Sequence, residues 1–295
     1  MTETTPSTQP LKAATWMIGA IVSFSAMAVA GREIAVELDT FELMMYRSLI
    51  GIFLVVSISA ALGHLRDVST ANIGLHVIRN ISHFAGQNLW FASIALIPLA
   101  QVVALEFTSP IWIALLAPIF LAEKLTVLRL FVALLGFTGA MIVARPDFSN
   151  IDPGILLAAG AAIGFAGSAI FTKLLTRKEA ITSILFWLTV MQAIFGLICS
   201  GFDGDIAVPT MLTLPWVVVV AITGLAAHFC LTTALSCAPA TIVMPFDFAR
   251  LPVIALIGMT LYAEPLEWPV MLGAVIIFGA NYLNIAAETR ARKTA

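Results

Sequence analysis

The chain has 295 residues, of which 60% are hydrophobic and 11% charged, and its formal net charge is −2. A water-soluble domain carries about a quarter charged residues, so this chain cannot cover a solvated surface and reads as one embedded in a lipid bilayer. No basic run marks a nucleic-acid partner. Cys199, Cys230 and Cys237 sit in apolar segments without metal-ligand spacing; they read as packing residues, and no metal or cofactor is expected.

The first apolar run, 13–31, follows Lys12 and contains Ala26-Met27-Ala28, which looks like a cleavage signal. A single basic residue before so long a run makes it an uncleaved first span instead. Further runs follow at 41–62, 72–95, 98–121, 127–144, 154–172, 181–200, 214–235, 239–262 and 268–287. A helix needs roughly 20 apolar residues to cross a bilayer. The runs lack the polar–apolar alternation of barrel strands. The expected fold class is all-α integral membrane with ten transmembrane helices.

With the N-terminus in the cytoplasm, that side holds ten basic residues: Lys12, Arg66, Lys124, Arg129, Lys173, Arg177, Lys178, Arg290, Arg292 and Lys293. The other side holds two, Arg32 and Arg145. This positive-inside bias places both termini, 1–12 and 288–295, in the cytoplasm.

The two halves also repeat. A shift of 141 positions brings Pro98 onto Pro239, Glu106 onto Asp247, Phe107 onto Phe248, Glu123 onto Glu264 and Arg32 onto Lys173. Each half, 13–144 and 154–287, then holds five spans, and an odd number gives two inverted five-helix repeats.

The segment Pro118-Ile119-Phe120-Leu121-Ala122-Glu123-Lys124-Leu125-Thr126, followed by Gly136 and Gly139, resembles the close of an EamA domain. Tyr262-Ala263-Glu264-Pro265-Leu266, followed by Gly273 and Gly279, resembles the same feature in a second domain. Phe41-Glu42-Leu43 leading to Arg47 is similar to the second helix of the first domain. The resemblance, covering 13–287, is to the EamA family of the drug/metabolite transporter superfamily. It implies two tandem domains, a ten-helix carrier with a central cavity and a bacterial inner-membrane setting. By analogy with the family, amino acids, S-adenosylmethionine-like zwitterions and flavins are the compounds to test. Ala122 and Ala263 stand where Gly or Asn is common, and Leu188 stands at the repeat position of Arg47. The halves are therefore chemically unequal.

Five ionisable residues lie well inside the spans: Arg47, Arg79, Glu106, Asp247 and Arg250. Each costs about 2.5–3.5 kcal/mol at the centre of a span and normally faces a bundle interior or a wet cavity. Three cations against two anions leave one surplus positive charge, which an anionic or zwitterionic substrate would meet. On the third span His76, Arg79, His83, Gln87 and Trp90 fall within about one 80° arc, with Gly86 placed beside them to allow close approach. Trp90 suits a planar ligand and Arg79 an anion. Two readings are open for this stripe, a cavity lining and interhelical hydrogen-bond glue. Asp247 and Arg250 can pair at i, i+3; the alternative is proton coupling. Glu106 has no near cation in sequence, so Arg47 and Arg79 are its candidate partners. His228 occupies the repeat position of Gln87. Glu123 and Glu264 read as caps of spans five and ten. Gly160, Gly164 and Gly167 form a small packing face, and Pro110, Pro118, Pro245 and Pro252 are expected to kink spans four and nine.

The candidate substrate-binding residues are Arg47, Arg79, His83, Gln87, Trp90, Glu106, His228, Asp247 and Arg250, in a cavity built from spans two, three, four, eight and nine. The expected activity is secondary transport of a small polar molecule by alternating access. No nucleotide-binding P-loop is present, and no catalytic motif supports the alternatives, an intramembrane enzyme or a non-transporting scaffold.

Overall fold

The structure, a computed structural model, describes residues 9–35, 37–120, 127–145, 147, 149, 152–202, 204, 206–238 and 243–294. The described residues form helices α1 (Pro10–Ile34), α2 (Thr40–Ala61), α3 (Ile73–Leu96), α4 (Leu99–Glu106), α5 (Ser109–Phe120) and α6 (Val127–Ala144) from the first half. From the second half come α7 (Pro153–Leu175), α8 (Ile181–Ser200), α9 (Leu214–Cys237), a 3-10 turn (Met244–Ala249), α10 (Arg250–Tyr262) and α11 (Trp268–Thr294). The expected all-helical class holds, and no strand occurs among the described residues.

Helix starts follow local chemistry. Asp39 accepts from the Glu42 amide at 2.7 Å while the Glu42 carboxylate accepts from the Asp39 amide at 2.9 Å, a reciprocal capping box that opens α2. Asp152 caps α7 through the Gly154 amide at 2.7 Å, with Pro153 at the first helical position. At the other end of the chain, α11 runs on to Thr294, past the expected tail boundary at 287.

Five helices are long and apolar enough to cross a membrane: Leu11–Ile34, Thr40–Ala61, Pro153–Leu175, Ile181–Ser200 and Leu214–Cys237. Their outward faces expose large apolar side chains such as Phe53, Ile58, Leu197 and Ile198. The equally long α3 is not among them. His76, Arg79, Asn80, His83, Gln87 and Asn88 lower its hydropathy, and all six are buried inside the protein.

Spans four and nine are broken, not merely kinked. Helix α4 ends at Glu106 and α5 starts at Ser109, while the stretch around Asp247 is a 3-10 turn that continues into α10. Hydroxyls take up the carbonyls at the first break. Thr108 Oγ1 donates to Leu105 O at 2.7 Å, and Ser109 Oγ donates to Glu106 O and to Ala162 O of α7. Pro110 and Pro252 lie just inside the helices that resume. Both acids of the repeat therefore sit at interruptions of the helical ladder.

The principal helix pairs are α1 with α9, α3 with α7, α6 with α11, and α2 with α8; α5 and α4 also pack on α7, and α4 on α6 and α10. Exchanging each element of the first half for its counterpart in the second turns α1–α9 into α7–α3 and leaves α2–α8 and α6–α11 unchanged. The 141-residue repeat is thus also a repeat of contacts.

The expected small face of α7 is present, and it explains Gly86. A Cβ placed on Gly164 would come within 2.7 Å of Gly86 Cα and 2.8 Å of Ser82 O, and Gly160 and Gly167 face Leu89 and Ser82. What approaches Gly86 is helix α7, not a ligand. Gly139 and Gly273 serve the α6–α11 crossing in the same way, each facing the carbonyl of the other.

Glu264 caps a helix, but not the one expected. It accepts from the Leu99 amide at 3.2 Å, at the start of α4, and pairs with Arg32. The chain reverses after α10 through Ala263, whose φ of +52° is left-handed, and this carries Glu264 back towards the first half. Glu123 and Pro239 lie outside the described residues.

Candidate functional site

A cavity partly open to the outside, about 870 Å3 when the open space at its mouth is included, lies among α1, α3, the α4–α5 break, α7, α9 and the turn before α10. Eight of the nine candidate residues line it: Arg79, His83, Gln87, Trp90, Glu106, His228, Asp247 and Arg250. The ninth, Arg47, lines a smaller adjoining chamber of about 280 Å3 with Ser48, Thr189, Gln192 and Gly224, and His228 lines both spaces. The expected set of spans is corrected accordingly. Spans one and six contribute Phe24, Met27, Phe165, Ser168 and Thr172 to the main wall, while span two reaches only the chamber.

Arg250 organises one end. Its Nη2 donates to Glu106 Oε1 at 2.6 Å and to Asp247 Oδ2 at 2.8 Å. Trp90 Nε1 donates to the second oxygen of Glu106 at 2.9 Å. The guanidinium lies between the Phe24 and Phe107 rings, 5.1 and 5.5 Å from their centroids. Glu106 therefore pairs with Arg250, 144 residues away, and not with Arg47 or Arg79. Phe107 and Phe248, related by the repeat, meet edge to face with centroids 4.5 Å apart.

Arg79 and Arg47 lie away from this clamp. Arg79 Nε donates to Thr172 Oγ1 at 3.2 Å and Nη1 to Asn80 Oδ1 at 2.9 Å. Arg47 Nη1 lies 3.8 Å from Met27 Sδ, a weak acceptor. Arg79 is 2% and Arg47 6% exposed, and neither has a carboxylate partner among the described residues. The sum of charges is the one expected, but its distribution is uneven: the clamp joins one cation to two anions, and the other end carries two cations. Between them, the rings of His83 and His228 meet edge to face at 4.6 Å. The Nε2 atoms of both are buried without a hydrogen-bond partner, as is Gln87 Oε1.

The third-span stripe is thus lining and glue at once. Arg79 is bonded to helix α7 and still borders the cavity. His76 shares the helical face but is fully buried against Trp187, outside the cavity, with neither ring nitrogen bonded. Ser168 and Thr172, which the sequence reading passed over, could have been found from their i, i+4 spacing on an otherwise apolar α7. Phe24 and Phe165 carry no such signal among 19 phenylalanines. Among the described residues no cluster of His, Cys, Asp and Glu could hold a metal ion.

A polytopic helical membrane protein with an internal, charged cavity has the build of a small-molecule carrier. The chain belongs to the EamA-like transporter family, whose model matches residues 11–145 and 152–286. It is 35% identical to a riboflavin transporter of Brucella anthropi over 78% of this chain and 82% of that one. It is 25% identical to an S-adenosylmethionine uptake transporter of Rickettsia bellii over 94% of both. A riboflavin transporter of Vibrio cholerae is 28% identical over 91% of both. A crystal structure with 17% identity shares the fold, with a TM-score of 0.71 over 95% of this chain and 98% of that one.

Proposed function

We propose that the chain is a ten-span secondary transporter of the bacterial inner membrane, with both termini cytoplasmic, that moves a small anionic or zwitterionic metabolite by alternating access. The contact symmetry supports two inverted five-helix repeats, with the broken spans four and nine crossing at the cavity. The observation that carries the substrate reading is Arg79: a buried cation on the cavity wall without an acid among the described residues, opposite an arginine already clamped by two. A cation left so exposes its charge to whatever enters. Trp90, Phe24, Phe107 and Phe165 add faces on which a planar group can stack. Flavins and S-adenosylmethionine, the compounds named for the relatives, both have planar rings and are the first to test. The joint hold of Arg250 on Glu106 and Asp247 supports a structural pair over proton coupling.

The test is uptake of radiolabelled riboflavin, S-adenosylmethionine and amino acids into proteoliposomes. Wild-type protein should accumulate at least one of them, and Arg79→Gln should cut that uptake at least about tenfold, as expected when a buried charged hydrogen bond is lost. Preference for organic cations that bear no anionic group, or uptake of neutral riboflavin alone, would overturn the anionic or zwitterionic reading.

A further inference from the structure

The chamber around Arg47 is separate from the clamp and from the main cavity wall, yet it opens beside His228, which borders both. Four observations converge there. Arg47 is a buried cation without a carboxylate partner among the described residues. Gly224 leaves the space, since a Cβ on it would come within 3.3 Å of Arg47 Nη1. His228 Nε2 is buried and unbonded. Gln192 donates through Nε2 to Asn80 O at 3.0 Å, and its Oε1 is left buried without a donor. A protein rarely keeps so many polar atoms unsatisfied in so small a space unless something else completes them.

We propose that this chamber is a second subsite, which receives a singly charged carboxylate at one end of the substrate while the remainder lies in the main cavity. The inference rests on the transporter reading and narrows its substrate class to carboxylate-bearing molecules, which favours S-adenosylmethionine-like compounds over riboflavin, a molecule without a carboxylate. Arg47 supplies one positive charge, which matches one carboxylate. His228 Nε2 can donate to the same group in the tautomer that carries its proton there. A dianionic head such as phosphate fits less well, because its second charge would face the orphan oxygen of Gln192. That oxygen instead suits a donor next to the carboxylate, such as an amino group. The main cavity then lies on the far side of His228, where the aromatic walls take the body of the molecule.

The experiment needs no identified substrate. Ser48→Cys places a thiol in the chamber from α2, and Thr189→Cys places one from α8 and serves if the first fails to fold. Both are made in full-length protein with Cys199, Cys230 and Cys237 replaced by alanine, in vesicles of either orientation. The thiol is treated with 2-carboxyethyl methanethiosulfonate, an anion, or with the trimethylammonium-ethyl reagent, a cation. A chamber governed by Arg47 should react with the anionic reagent about tenfold faster, the lower end of what a one-signed cleft achieves. Adding Arg47→Gln should abolish that preference while leaving the cationic rate unchanged or raised. Faster reaction with the cation, a preference that survives Arg47→Gln, or no reaction with either reagent from either side would overturn the subsite. Because labelling is read without transport, its failure is distinct from a failure of uptake.

Discussion

Replacing Arg250 by methionine removes the one cation among the described residues that holds Glu106 and Asp247 together. In the native protein both carboxylates bond the same guanidinium nitrogen, at 2.6 and 2.8 Å, and the side chain of Arg250 is 2% exposed. Methionine keeps most of the volume and the contact with Phe24 and Phe107. What remains is two acids facing each other, with Trp90 still donating to one of them. Breaking a buried ion pair from one side costs about 3–5 kcal/mol, because the surviving charge stays desolvated. The side chains of Glu106 and Asp247 keep 15% and 13% of their exposure, so water can partly replace the lost cation. The expected loss is therefore at the lower end, about 3 kcal/mol.

The assay is thermal unfolding of purified protein in detergent, followed by the intrinsic fluorescence of its six tryptophans. Arg250→Met should lower the midpoint clearly. Combining it with Glu106→Gln and Asp247→Asn should recover most of the loss, because no unpaired charge is then buried. The triple variant should still be impaired in uptake. A single variant as stable as wild type would refute the clamp, and so would a triple variant no more stable than the single one.

Gly164→Ala should destabilise by about 1–3 kcal/mol, the usual cost of overpacking, because its Cβ meets backbone atoms of Gly86 and Ser82 that cannot turn aside. Gly136→Ala, whose Cβ would meet nothing within 4 Å, should leave the same melting curve unchanged or slightly raised. Trp90→Phe keeps an aromatic wall but takes the donor from Glu106 Oε2, so it should cost about 1–2 kcal/mol in the melt and weaken uptake more than a Phe91→Leu control.

Hydropathy made the helices legible, and the cost of charge in lipid made the candidate residues legible. Arg79, His83, Gln87 and Trp90 share a helical face, and that face does border the cavity. Periodicity does not say how far along the helix the cavity reaches, and so His76, on the same face, ends up against Trp187. The pairing of Glu106 with Arg250 was hidden because it joins two broken spans far apart in sequence, whereas Asp247–Arg250 was visible as an i, i+3 pair. The breaks themselves were signalled only as prolines. At the first break Thr108 and Ser109 take up the freed carbonyls, while the turn from Met244 to Ala249 has no hydroxyl residue, so no one local signal marks both interruptions. Glu264 looked like a local cap because the left-handed turn at Ala263, which redirects it to Leu99 and Arg32, has no sequence marker such as glycine.

The repeat also explains why the chamber exists. At the 141-residue offset, Arg79 corresponds to Val220, His83 to Gly224, Arg47 to Leu188 and Ser109 to Arg250. Arg47 and Arg79, the buried cations without an acid among the described residues, thus belong to the first half, and the second half answers them with smaller or apolar residues. The exchange of His83 for Gly224 matters most, because the missing side chain is what leaves room beside Arg47. Gly224→Val would push two methyl groups into that space. Arg47 Nη1 and Met27 Sδ, each 3.3 Å from the added Cβ, end flexible side chains, so the helices need not separate. The melting midpoint should change far less than for Gly164→Ala, while the initial rate of uptake should fall severalfold through a raised KM. If uptake in proteoliposomes is the same for Gly224→Val and wild type, the space beside Arg47 has no part in transport and the asymmetry of the halves has another origin.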